Sequence, residues 1–162
     1  MSISDRSVQV VERAPRIARH ALAVLLVTCV HHVYGAYIYQ TPWRYHAVFV
    51  SAGATLAIVG SLALLRARDG TVLGQFAWWM FVLTTVAVPV LMIGTFEGLY
   101  NHVVKDVLYF AGAPADWMTR LFPPPTYEMP NDAFFEITGV LQVVPAATTA
   151  WLLWTARARS RG

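Results

Sequence analysis

Four apolar stretches, at approximately 17–39, 46–65, 75–96 and 133–154, dominate the chain. Each is long enough to cross a hydrocarbon core, which needs about 20 apolar residues. They set the fold class as an all-α, integral membrane four-helix bundle. Composition agrees: 57% of the 162 residues are hydrophobic and 13% charged, whereas a soluble domain carries about 25% charged residues. No segment is polar or repetitive enough to stand as a second domain or a disordered tail, so 1–162 reads as a single polytopic membrane domain. Arg13, Arg16 and Arg19 ahead of the first stretch imitate a signal peptide. The apolar run continues through His31, His32 and several tyrosines without a small-residue cleavage site, so a retained helix is expected.

The basic residues orient the spans. Arg6, Arg13, Arg16, Arg19, Arg66, Arg68, Arg157, Arg159 and Arg161 fall on one side of the four-span arrangement, and only Arg44, Lys105 and Arg120 on the other. The positive-inside rule then places both termini in the cytoplasm. Six of the nine acidic residues, among them Glu97, Asp106, Glu128 and Glu136, lie on or near the outer side. Trp43 and Tyr45 at one boundary and Trp78, Trp79, Trp151 and Trp154 at the other fit interfacial belts. Eleven arginines to one lysine point to a GC-rich bacterial genome, hence to a bacterial cytoplasmic membrane.

Pro42 and Asp69-Gly70 mark short turns, so successive helices are antiparallel. The connection 97–132 is the long one, and long connections in small proteins tend to be functional. Its first part, to about residue 111, reads as a continuation of the third helix or as an interfacial helix. A short helix is expected over 115–122 after Pro114, and Asp132 is placed to N-cap the fourth span. Together these pieces form an outer-side cap, stiffened by Pro123, Pro124 and Pro125.

The titratable residues gather at one end. His31 and His32 lie beyond the middle of the first span, His46 opens the second, Glu97 and His102 stand at the outer end of the third, and Glu136 lies one turn inside the fourth. Ionisable groups in a membrane are costly and face a bundle interior or a wet cavity, which makes this cluster the candidate site. Small-residue stripes support inward placement: Val24, Thr28, His31 and Gly35; His46, Gly53, Ala57 and Gly60; Glu136, Gly139, Val143 and Ala147. Pro89 and Pro145 are expected to kink the third and fourth spans.

Imidazole and carboxylate together suit a transition metal such as iron, zinc or copper, with His31, His46, Glu97, His102 and Glu136 as candidate ligands and Glu136, Glu97 and His31 as candidate catalytic groups. Spacing argues against one pair. Five residues separate Glu97 from His102, roughly 140° around an ideal α-helix, so both reach one ion only if Gly98 distorts the turn. Otherwise Glu97 pairs with Asn101 or Lys105, and His102 forms a surface pair with Asp106. Adjacent His31 and His32 diverge by about 100°, so one of them, His31 by its stripe, is expected inward. Helix N-terminal amides offer Glu136 a purely structural role instead.

Other chemistries are excluded by what the chain lacks: a glycine-rich phosphate loop, a nucleophile elbow, a CxxC and an HExxH. Cys29 is the single cysteine and reads as packing, and the arginines border apolar segments instead of forming a nucleic-acid stripe. Two functions remain. One is a metal-dependent oxidoreductase acting on a lipid-soluble small molecule, in contact with the bilayer. The other is a non-catalytic membrane subunit or cation- or proton-handling accessory that assembles as a homo- or hetero-oligomer.

Overall fold

The computed structural model describes residues 3–124 and 126–158, with side chains over 13–124 and 126–156. Pro125, Arg159 and Arg161 therefore lie outside the described residues, as do the side chains of Arg6 and Arg157 in the charge tally. The described residues are all-helical. Helix α1 (Ile3–Ile38) leads through a 3-10 turn (Pro42–Tyr45) into α2 (His46–Ala67). A tight turn with Gly70 at φ +74° leads on to α3 (Val72–Thr85), N-capped by Thr71, whose hydroxyl accepts from the Gly74 amide. Beyond α3 the helix continues as a π-helix (Val86–Val104) and α4 (Lys105–Phe110). Helix α5 (Ala115–Leu121) packs on α4, and the last span comprises α6 (Ala133–Leu141) and α7 (Val143–Ala158).

Four rods are long and apolar enough to cross a membrane: Arg13–Ile38, Pro42–Ala67, Val72–Phe110 and Ala133–Ala156. The third, at 39 residues, extends well past the expected end near residue 96, so the first part of the long connection continues the helix. α1 packs on α2 and on the α6–α7 rod, and it also touches the π-helix, so it is the central element. The exterior is apolar: Leu26, Phe49, Leu56, Phe76, Leu83 and Val144 are all exposed, as lipid contact requires.

Toward the termini the interior is an apolar core in which Ile17, Ala21, Val24, Ile58, Ala77 and Phe81 are almost fully buried. The α2 stripe departs from expectation. Ser51, Ala54, Ile58, Ser61 and Leu65 face inward, while His46, Gly53 and Gly60 are exposed. Lipid is as apolar as a packed neighbour, so small residues alone do not decide which face of a membrane helix turns in. In the last span the buried line runs Phe135, Gly139, Gln142, Ala146 and Thr149, and Ala147 turns outward past the α6–α7 break at Gln142.

The cap is docked. Phe122 is fully buried, its ring 5.1 Å from that of Tyr100, and the Tyr100 hydroxyl donates to the Leu121 carbonyl at 2.9 Å. Asp132 N-caps α6, accepting from the Phe135 amide at 2.8 Å, and also accepts from the Tyr34 hydroxyl at 3.1 Å.

Candidate metal centre

The π-helix is what brings Glu97 and His102 together. Its hydrogen bonds join residues five apart, as the Lys105 amide to the Tyr100 carbonyl illustrates. Residues five apart then stack on one face, as residues four apart do in an α-helix. The separation that α-geometry forbids is therefore the one this winding aligns, over several turns and not at Gly98 alone. Pro89 lies inside the segment, where its ring and missing N–H are incompatible with regular α-helical bonding.

Three groups converge at the end of the bundle opposite the termini. His31 Nε2 lies 3.5 Å from Glu97 Oε1 and 3.2 Å from His102 Nε2, and His102 Nε2 lies 3.8 Å from the same carboxylate oxygen. His32 Nε2 approaches that oxygen at 3.7 Å. Both adjacent histidines are thus buried against Glu97: α1 lies centrally, so two of its faces meet neighbouring helices. His31 is fully buried and His102 nearly so.

The far side of each ring fixes its proton. His31 Nδ1 faces the Phe135 carbonyl and the Thr138 hydroxyl, both at 3.1 Å. Thr138 donates its own proton to backbone carbonyls. His32 Nδ1 faces the Thr28 carbonyl at 3.1 Å, and His102 Nδ1 faces Glu136 Oε2 at 2.6 Å. All these partners accept, so each Nδ1 donates, and in the neutral ring Nε2 carries a lone pair. Two such lone pairs 3.2 Å apart beside a carboxylate repel one another unless a proton or a metal ion joins them. Ligands at about 2.0–2.1 Å from a tetrahedral ion stand about 3.4 Å apart, and the three edges of 3.2, 3.5 and 3.8 Å bracket that value. His31, Glu97 and His102 offer one ligand atom each, all within 4.8 Å of one another. The cluster has the donors and dimensions to hold a metal ion.

Glu136 stands one layer out. Its Oε2 accepts from His102 and its Oε1 from Lys105 Nζ at 2.9 Å, so both oxygens orient other groups. Lys105 also donates to the Glu128 carbonyl at 2.7 Å, tying the cap to the site. Carboxylate–imidazole pairing of this kind fixes ring orientation and raises ligand basicity. His102 is therefore not in a surface pair with Asp106, whereas the local bond expected for Glu97 is present: Asn101 Nδ2 donates to Glu97 Oε2 at 2.7 Å. His46 is exposed at the mouth, its Nδ1 2.7 Å from the Trp43 carbonyl and its ring stacked on Trp43, outside the triad.

Packing holds the rings. Phe135 stacks on His31 with centroids 4.1 Å apart, and a side chain at Gly35 would overlap Phe135. A Cβ at Gly139 would overlap the His102 imidazole, so only glycine lets that ring lie against the α6 backbone. Next to the site, burial reinforced by the carboxylates of Glu136, Asp132 and Glu128 holds the Tyr39 phenol well above its usual pKa, as a donor to Asn131 Oδ1 at 2.6 Å.

Sequence reasoning missed three parts of the site: His32 as an inward group, Lys105 and Arg44. Lys105 had a signal, since the chain's only lysine sits in the apolar run 103–110. Arg44 looked like an interfacial charge beside Trp43 yet is 4% exposed. No family model, curated protein or solved structure matches the chain.

Proposed function

We propose that this is a membrane metalloenzyme of the oxidoreductase type. His31, Glu97 and His102 would ligate the ion, with His32 as a fourth donor, and the substrate would be lipid-soluble. The observation that supports this reading is the convergence of imidazole Nε2 atoms on Glu97 Oε1 while every Nδ1 is bonded to an acceptor. Two histidines and one carboxylate with open positions are the donor set of non-haem Fe(II) sites, and copper or zinc also accept imidazole. Bound iron or copper would supply one-electron chemistry, whereas zinc would supply Lewis acidity and an activated water without redox. The surrounding protein does the rest: Glu136 holds His102 in one tautomer, Lys105 offsets the Glu136 charge, and the cap covers the centre.

A metal-free reading rests on one distance. With His102 as an imidazolium between Glu136 and Glu97, its Nε2–H would donate to His31 at 3.2 Å, making a proton-handling chain of His31, His102, Glu136 and Lys105. Elemental analysis of protein purified in mild detergent separates the two. About one equivalent of iron or copper, lost in Glu97→Gln and His102→Ala, supports the metalloenzyme. Zinc alone removes the redox assignment. No retained metal after reconstitution with all three ions leaves the proton chain.

A further inference from the structure

Two cavities meet at the candidate centre, and they differ in kind. One, of about 210 Å³, lies under the cap and is lined by Arg44, Glu97, Asn101, His102, Lys105 and Tyr127, among others. The second, of about 260 Å³, lies between α2 and the π-helix against α1, with Val50, Ser51, Met92 and Ile93 in its wall. His32, His46, Phe96 and Glu97 line both. α2 packs against α3 but parts from the π-helix, and Val50, Met92 and Phe96 at the gap are 37%, 43% and 51% exposed on the apolar exterior. The apolar cavity therefore opens sideways, toward lipid, and leads to the metal-ligating groups.

The polar cavity carries a buried guanidinium with one nitrogen left without a hydrogen bond. Arg44 Nε donates to the Thr41 hydroxyl at 2.8 Å, but its buried Nη2 has no hydrogen-bond partner. Glu128 Oε1 pairs with it as a counter-charge at 3.7 Å, beyond hydrogen-bond distance. The guanidinium is held among the rings of Trp43, Phe135 and Tyr39, at 4.9, 5.4 and 5.7 Å, and Arg44 lines the cavity. A guanidinium stays charged, and its planar fork matches an oxyanion. Glu97 and Glu128 in the same wall disfavour a dianion, which selects a monoanionic headgroup.

Resting on the metalloenzyme reading for its purpose though not for its geometry, we infer that this bipartite cavity binds a single-chain carboxylate amphiphile. The carboxylate meets Arg44 beside the metal centre, and the chain passes between α2 and the π-helix into the bilayer. Because the headgroup sits next to Glu97 and the chain runs past Phe96, carbons near the carboxylate lie closest to the ion.

The test uses spin-labelled stearate and the full-length protein in phosphatidylcholine nanodiscs, with metal content read on the same samples. The expected result is a motionally restricted spectral component, displaced by unlabelled stearate and at least tenfold less well by its methyl ester, stearyl alcohol or stearyl phosphate. Arg44→Gln and, independently, Val50→Trp, which fills the lateral opening, should each weaken the component at least tenfold. Should Arg44→Gln fail to fold, Val50→Trp and the competitor series still decide. Equal displacement by the ester or alcohol, stronger displacement by the phosphate, or full binding by folded Val50→Trp overturns the inference. A wild-type sample that binds stearate without metal defeats only the metalloenzyme reading; one that holds metal without restricting stearate defeats only this inference.

Discussion

Glu97 and His102 are five residues apart on one helix, yet a carboxylate oxygen and an imidazole nitrogen meet at 3.8 Å because the helix between them is π-wound. Register is thus as necessary to the site as the ligands themselves. One alanine inserted after Leu99 puts the pair six apart, a spacing that neither α- nor π-winding aligns. Metal content should fall at least tenfold while far-UV circular dichroism stays helical, whereas the same insertion after Ala113, beyond the rod, should leave the metal in place. Retention of metal in the first variant would show that register does not matter.

Glu136 orients His102 and neutralises Lys105 at once, and these roles come apart under substitution. Glu136→Gln keeps an acceptor near His102 but removes the charge, so metal affinity should drop about 10- to 100-fold, the usual cost of losing an outer-shell partner. It also removes the closer of two carboxylates paired with the buried Lys105, leaving Asp106 Oδ1 at 3.7 Å as its remaining counter-charge, so the loss of stability should stay below the roughly 3–5 kcal/mol of a fully unpaired buried charge. Adding Lys105→Met should restore much of the stability without restoring the affinity. Thermal unfolding and metal titration on the single and double variants read the two effects separately.

The arginines of the sequence carry the proposed topology. With nine basic residues on the terminal side and three on the other, the proposed orientation puts both termini in the cytoplasm and the metal centre in the outer leaflet. Alkaline phosphatase fused after Gly162 should be inactive and a cytoplasmic fluorescent reporter at the same place bright. The reverse pattern would invert the bundle and open the site toward the cytoplasm.

The spans were legible because hydropathy over some 20 residues is a local property, and the Asp132 cap and the short helix after Pro114 were legible through local chemistry of the same sort. So was the gathering of His31, Glu97, His102 and Glu136 at one end. The winding was not. It goes with a close approach of the rod to α7: a Cβ at Gly98 would come within 2.9 Å of Val143 Cγ2, and one at Gly94 would overlap Ala146. No count of residues per turn along the chain contains that contact. The inward face of α2 was likewise hidden, since lipid and protein present nearly the same apolar environment to its side chains. Lys105 and Arg44 were hidden because a charge near a helix end ordinarily reaches water, whereas here Glu136 and the Glu128 carbonyl hold Lys105 and the rings of Trp43, Phe135 and Tyr39 hold Arg44.

Gly139 gives His102 its seat, and the space is filled by the ring itself. Gly139→Ala should push the imidazole off Glu136 and Glu97 and lower metal affinity at least tenfold. Gly53 is the matched control, since a Cβ there meets nothing within 4 Å. Gly53→Ala should leave metal binding unchanged and stabilise the helix slightly, by about 0.5–1 kcal/mol. Equal behaviour of the two variants in a metal titration would mean that His102 is not held by this contact.

Acid should release the metal before it unfolds the bundle. Each ligating imidazole must be unprotonated at Nε2, so protons compete with the ion and binding is strongest at the higher pH. With two imidazoles in the triad, affinity should fall as the pH is lowered, by up to about 100-fold per pH unit once both rings take up a proton. The core that holds the rods together contains no comparable titrating group: Ile17, Val24, Ile58 and Phe81 are apolar and fully buried or nearly so. Metal occupancy measured by dialysis between pH 7.5 and 5 should therefore collapse while helicity and the thermal transition of the metal-free protein change little. A structural proton chain predicts the opposite order, because protonating Glu136 breaks its pairing with both His102 and Lys105 and loosens α6 from α4 with no ion involved.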